Sequence, residues 1–272
     1  MIRREAWAPA RLAAGPRVLL SLVARVLVLA AFLVALPASA QRVGTEDGEW
    51  RYWGGDEGSS RYTPADQIDR DNVDQLEVQW RWWAANFGPE VDYIYRGTPI
   101  KVGNRLYTVA GQRRSVVSID PVTGETLWMW RMRDNPRWQE STRKNYGKGV
   151  AWAMVNGREV IYVITPGYYL AALDAETGIP IADFGEDGIV DLHRNMGDYP
   201  FDEERGILAS GDITASSPPI VVNGVIVVGN SHDRGYYPEK KENVPGHVRG
   251  YDVATGEMLW RFHVLPQPGE FG

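Results

Sequence analysis

The segment that most constrains this chain occurs three times. It reads VSIDPVTGETLW from Val117 to Trp128, AALDAETGIPIA from Ala171 to Ala182, and RGYDVATGEMLW from Arg249 to Trp260. The common core is D-x-x-T-G, with motif aspartates at Asp120, Asp174 and Asp252, spaced 54 and 78 residues apart. Self-similarity on this scale signals a repeat architecture in which each unit is one supersecondary element. Apolar residues alternate ahead of each aspartate, the period-2 pattern of a half-buried strand. Asp and Thr side chains bond nearby backbone N–H groups, and Gly tolerates a positive φ, so the core itself predicts a turn. A second strand such as Glu125 to Trp130 completes a hairpin. The motif residues are therefore folding residues rather than catalytic ones.

A further pair of strands precedes each hairpin: Thr98 to Tyr107, Val155 to Ile164 and Pro218 to Val227, with tight turns at Gly103-Asn104, Asn156-Gly157 and Asn223-Gly224. Each unit then holds about four short strands, the content of a propeller blade. The class is all-β and the expected architecture a β-propeller. Two polar, Pro- and Gly-containing stretches, Tyr236–His247 and Gly197–Gly206, read as insertions. In repeat proteins such insertions often gather on the binding face.

Residues 1–40 read as a signal peptide. Arg3, Arg4, Arg11 and Arg17 precede an apolar run from Val26 to Leu36, and Ala38-Ser39-Ala40 supplies an A-x-A cleavage site. Without those residues the chain keeps 24 basic and 34 acidic side chains, a formal charge of −10. That balance argues against nucleic acid or anionic lipid as a partner. Cysteine is absent, which excludes disulfides, a lipoprotein anchor, a haem c attachment site and zinc–thiolate sites. Residues 41–272 supply about three blades after an opening segment from Trp50 to Trp83, in which Trp80, Trp82 and Trp83 are assigned to an opening strand. Closed propellers have about 4–8 blades, so the expectation is the N-terminal part, about the first half, of a longer propeller.

The hairpins resemble the tryptophan-docking motif, A-x-D-x-x-T-G-x-x-x-W, of the pyrroloquinoline-quinone (PQQ) dehydrogenases. The opening W-x-x-x-G-G-D-x-x-x-x-R-Y-T-P from Trp50 to Pro64 and the stretch G-T-P-I-K-V-G-N-R-L-Y resemble the same family. The pattern is similar to its glucose-dehydrogenase-like branch. The middle copy departs, with Ala182 in the tryptophan position, which predicts a looser dock for that blade. The resemblance implies an eight-bladed propeller with PQQ and Ca²⁺ (or Mg²⁺) on its axis. It implies an alcohol or sugar as substrate, and membrane ubiquinone or a cytochrome as electron acceptor. It also implies a periplasmic location, free or membrane-associated. The absence of Cys weighs against the branch that carries a vicinal disulfide. Gly111-Gln112-Arg113 stands where the glucose branch has an H-Q-R triplet.

What the resemblance implies for the site is limited to a few positions. Lys148-Gly149 resembles a family R-G segment whose Arg pairs with a PQQ carboxylate; Lys keeps the charge and loses the bidentate geometry. Ser217 resembles the hydroxyl residue before Pro that bonds the quinone, with Thr214 and Ser216 as neighbours able to serve. Asn230 and Ser231 end the next strand, with Asp233 as a candidate metal ligand. Arg113 is a candidate to face the quinone, with Arg114 equally placed, whereas Arg249 reads as a brace for its hairpin. His193, His232, His247 and His263 show no zinc spacing. The nicotinamide G-x-G-x-x-G and the hydrolase G-x-S-x-G are absent. The catalytic residues and most metal ligands are expected beyond Gly272. The competing reading is a non-catalytic propeller scaffold for protein assembly in the cell envelope.

Overall fold

The computed structural model describes residues 44–87, 95–141, 147–197, 199, 201–204, 207–208, 213–232 and 244–271. The chain divides into Met1–Gln41 and Arg42–Gly272, and every described residue belongs to the second unit. The export segment expected at 1–40 lies outside the described residues, as does Asp233.

Three four-stranded antiparallel sheets follow one another along the chain. The first holds β1 (Ile100–Val102), β2 (Arg105–Ala110), β3 (Ser115–Ile119) and β4 (Thr126–Trp130). The second holds β5 (Ala151–Val155), β6 (Arg158–Ile164), β7 (Tyr169–Asp174) and β8 (Ile189–Asp191). Two short ribbons come next: β9 (Phe201–Asp202) with β10 (Ile207–Leu208), and β11 (Ile213–Thr214) with β14 (Ser231–His232). The third sheet holds β12 (Ile220–Val222), β13 (Val225–Val228), β15 (His247–Asp252) and β16 (Met258–His263). Each sheet keeps its strands in sequence order, which is the up-and-down blade that the repeat predicted. A short α-helix, α1 (Pro136–Glu140), lies in the chain between the first two blades, capped by the Asn135 side chain, which accepts from the Trp138 amide at 2.9 Å.

The motif turns are built alike. The carboxylate of Asp120 accepts the amides of Val122 and Thr123 at 2.7 and 2.8 Å, and its carbonyl accepts Gly124 N–H at 2.9 Å. Asp174 and Asp252 repeat the arrangement with Thr177 and Thr255. The backbone donor of Thr123 holds Asp120 below the usual carboxylate range, and that of Thr255 does the same for Asp252. On the inner turns, Asn156 and Gly157 have φ of 51° and 80°, the positive pair that a two-residue hairpin turn demands.

Blades are joined by a repeated contact. Trp128 of the first blade sends its indole N–H to the carbonyl of Ala175, the residue after the second motif aspartate, at 3.1 Å. Its ring lies on Gly178, where an added Cβ would stand 2.5 Å from the indole. Tyr107 reaches the same carbonyl at 3.1 Å. Trp80 docks in this way onto the first blade, bonding Pro121 O at 3.0 Å and covering Gly124. The stretch expected as an opening strand forms no ladder among the described residues, because Trp80 serves as a docking group instead of a strand member.

The middle blade solves the absence of a tryptophan differently. Its turn region is longer, so β8 begins only at Ile189. Fully buried Phe184 and the side chain of Val190 lie against Gly256 of the third blade. Tyr162 donates to Val253 O at 2.7 Å. The docking place is thus filled by apolar carbon, not left slack. The stretch expected as a plain insertion, 197–206, carries β9.

Two arginines lock the same interfaces. Arg114 has φ of 48° and is 2 % exposed; its guanidinium donates to Ile164 O of the second blade at 3.1 Å and to Ala215 O ahead of the third. Arg249 is wholly buried and donates to Leu192 O and Tyr168 Oη, both at 2.9 Å, and to Arg194 O. Its reach is into the neighbouring blade, not along its own hairpin as the sequence suggested.

Candidate cofactor site

Antiparallel order sorts the loops onto two ends of the blades. One end carries the motif turns and the inner Asn-Gly turns. The other carries the entries to β1, β5 and β12, the turns after β2 and β6, and the segments flanking α1 and β9–β11. All the sequence candidates among the described residues fall on this second end.

The entries to the first strands are sewn together. Thr98 N–H donates to Lys148 O at 3.0 Å, and Lys148 N–H donates to Ser216 O at 3.1 Å. Val102, Val155 and Val222 pair with Arg105, Arg158 and Val225 across the inner turns of their blades. Lys148 stands seven residues before Val155 and Ser217 five before Val222, so both lie in the entries to the first strands of neighbouring blades, two positions apart in register.

Both side chains line one cleft of about 210 Å³, with Tyr52, Trp53, Ser59 and Ile220 among the other walls. Gly149, with φ of 149°, lets the chain pass close to Thr98 O, which a Cβ there would meet at 3.2 Å. Its role is access rather than ligation. The wall from the opening segment was not foreseen as part of the site, although its W-x-x-x-G-G-D pattern was the available signal. Tyr52 donates to Glu57 at 3.0 Å, and burial together with that carboxylate pushes its hydroxyl up to about 12. The Trp53 indole N–H is buried and has no partner within the protein, while its ring receives the Arg61 guanidinium at 5.3 Å.

The remaining candidates lie on the same end but outside this cleft. Arg113 pairs with Asp134 and stacks on Trp138 at 4.2 Å. Thr214 is 1 % exposed with an unpartnered hydroxyl. Asn230 accepts from His247 N–H at 3.2 Å and donates to Pro245 O at 3.1 Å, tying the base of the long β14–β15 connection. Among the described residues no three of His, Cys, Asp and Glu gather as a metal site requires.

Residues 50–271 match the glucose/ethanol/alcohol dehydrogenase β-propeller domain of the PQQ enzymes. The chain belongs to the PQQ dehydrogenase β-propeller family. It is 30 % identical to the glycerol dehydrogenase large subunit of Gluconobacter oxydans, over 84 % of this chain and 30 % of that protein. It is 28 % identical to quinoprotein glucose dehydrogenase A of Acinetobacter calcoaceticus, over 83 % of this chain and 29 % of the relative. Among solved structures it is similar to quinohemoprotein alcohol dehydrogenase ADHIIG of Pseudomonas putida HK5, at 28 % identity and a TM-score of 0.60, covering 80 % of this chain and 27 % of that one. The chain thus spans about 30 % of the length of these relatives.

The cleft fits one edge of such a cofactor. PQQ is a flat tricarboxylate, and Lys148, Ser217 and the aromatic Trp53 border the cleft. Its volume is below that of a pocket enclosing a whole drug-sized ligand.

Proposed function

We propose that this chain is the N-terminal portion of an exported PQQ-dependent dehydrogenase that oxidises an alcohol or sugar. The observation that carries the reading is that Lys148 and Ser217, from the strand entries of neighbouring blades, line one cleft beside Trp53. Lys148 pairs with a carboxylate of the cofactor, a charge-assisted contact stronger than a neutral hydrogen bond. Ser217 donates to a further oxygen along the same edge, and the Trp53 ring walls it. Tyr52, kept protonated and held by Glu57, walls the site. When bound, the cofactor supplies the two-electron acceptor, while the protein supplies orientation and charge.

The relatives are named for glycerol and glucose, which favours a polyol or sugar. Electrons pass to a quinone-type acceptor, membrane ubiquinone or a cytochrome. The catalytic aspartate and the Ca²⁺ (or Mg²⁺) ligands belong to the part of the relatives' length that this chain does not span, so 41–272 by itself does not turn over. The pattern of residues 1–40 supports export to the periplasm. An assembly scaffold has no need of a lysine and an unpaired indole at a shared cleft.

The test is dye-linked activity on glycerol, glucose and ethanol after loading with PQQ and Ca²⁺. The longer reading frame containing this sequence should be active and residues 41–272 inactive. Absence of cofactor-dependent oxidation by the longer protein would overturn the proposal.

A further inference from the structure

Residues 77–82 belong to no sheet, and among the described residues none of their backbone N–H or C=O groups bonds another backbone group. Their side chains nevertheless sit as those of a fourth blade strand do. Trp80 bonds the carbonyl of Pro121, one residue after Asp120, and covers Gly124. Trp128 of β4 bonds the carbonyl of Ala175, one residue after Asp174, and covers Gly178. Two residues on, Trp82 donates its indole N–H to Thr126 Oγ1 at 3.0 Å. Trp80, Trp82 and Ala84 pack on the cluster of Ala110, Val117 and Ile119, whereas Gln79, Arg81 and Trp83 are exposed. That period of two is a strand's. W-R-W at Trp80–Trp82 also matches W-M-W in β4 and W-R-F in β16.

β4 and β16 each lie beside the third strand of their blade. Trp128 stands opposite Ser118 of β3, and Trp260 opposite Gly250 of β15. An added Cβ at Gly250 would lie 2.2 Å from the Trp260 ring, so the residue facing the tryptophan is held small. Among the described residues Trp80 has the dock of a fourth strand and no third strand beside it. A second copy of this chain offers none: β3, β7 and β15 already carry β4, β8 and β16 on their outer edges.

We propose that Val78–Trp82 is the outer strand of a blade whose inner strands come from polypeptide outside this sequence. Its partner is the open edge of an apolar antiparallel strand with Gly or Ser opposite Trp80. Unpaired edge groups are a template for strand addition, and the docked indoles hold this edge against the first blade for the partner to meet. The inference rests on reading the chain as part of a longer propeller, and it deepens that reading by making this segment the strand that ties a further blade to the first one.

Hydrogen exchange followed at single amides, in this chain and in the protein encoded by the longer reading frame, tests the proposal. In this chain the amides of 79–82 should exchange freely. In the longer protein alternate amides of the stretch should slow by about a hundredfold or more, because an outer strand bonds on one side only. Free exchange in a longer protein that oxidises alcohol with PQQ would overturn the proposal and leave the dehydrogenase reading standing. Alternating protection in a longer protein without that activity would support the strand and remove the dehydrogenase reading. Protection in this chain alone that grows with its concentration would make a second copy the partner, and would overturn the proposal.

Discussion

Trp128 and Ala175 are joined by an indole N–H···O=C bond of 3.1 Å that crosses from one blade to the next. The same ring rests on Gly178, whose φ of 73° and missing Cβ both suit the contact. Gly178→Ala places a methyl 2.5 Å from the indole in a left-handed backbone. The expected loss is about 2–4 kcal/mol from overpacking and backbone strain together. Urea unfolding of the variant beside the parent chain measures it. Trp128→Phe also destabilises, because it removes both the hydrogen bond and part of the ring packed on Gly178.

Arg114 offers an independent measure of blade coupling. Its buried guanidinium satisfies Ile164 O and Ala215 O at once. Arg114→Met removes both donors and leaves two buried carbonyls unpaired, at about 1–3 kcal/mol each. Arg113→Met, whose guanidinium sits on Trp138 at the surface, should change stability by under about 1 kcal/mol. Equal losses for the two variants would contradict the assignment of Arg114 as the inter-blade lock.

His193 gives the fold a pH dependence. It is 6 % exposed, and burial, aided by Arg137 and Arg249, lowers it to about 3. The unfolded chain titrates it near 6.5, so between those values the unfolded state holds the extra proton. Stability from this group is therefore full above about pH 6.5 and falls as pH drops toward 3, by about 1.4 kcal/mol per pH unit. From pH 7 to 5 the loss is roughly 2 kcal/mol, and His193→Gln should abolish it. Chemical denaturation at both pH values, parent against variant, checks the slope.

The blades were legible because the motif is local: aspartate, threonine and glycine close the turn through bonds within five residues. The positions of Lys148 and Ser217 were legible through family resemblance. The cleft wall at Tyr52 and Trp53 was not, because it comes from a segment nearly a hundred residues upstream of Lys148 and is set by tertiary packing. For the same reason Arg113 and Arg114 could not be told apart. A left-handed backbone at Arg114 turns one side chain inward and the other onto α1. The middle blade misled for a local reason: a lengthened turn moved the docking role from the tryptophan position to Phe184.

The central claim is that Lys148 holds a carboxylate of PQQ in the cleft it shares with Ser217. Titrating PQQ into the protein while following tryptophan emission tests it most directly, since the Trp53 ring borders the same space. The account predicts saturable quenching, at least tenfold weaker binding in Lys148→Ala, and recovery in Lys148→Arg. Unchanged affinity in a folded Lys148→Ala protein would contradict it.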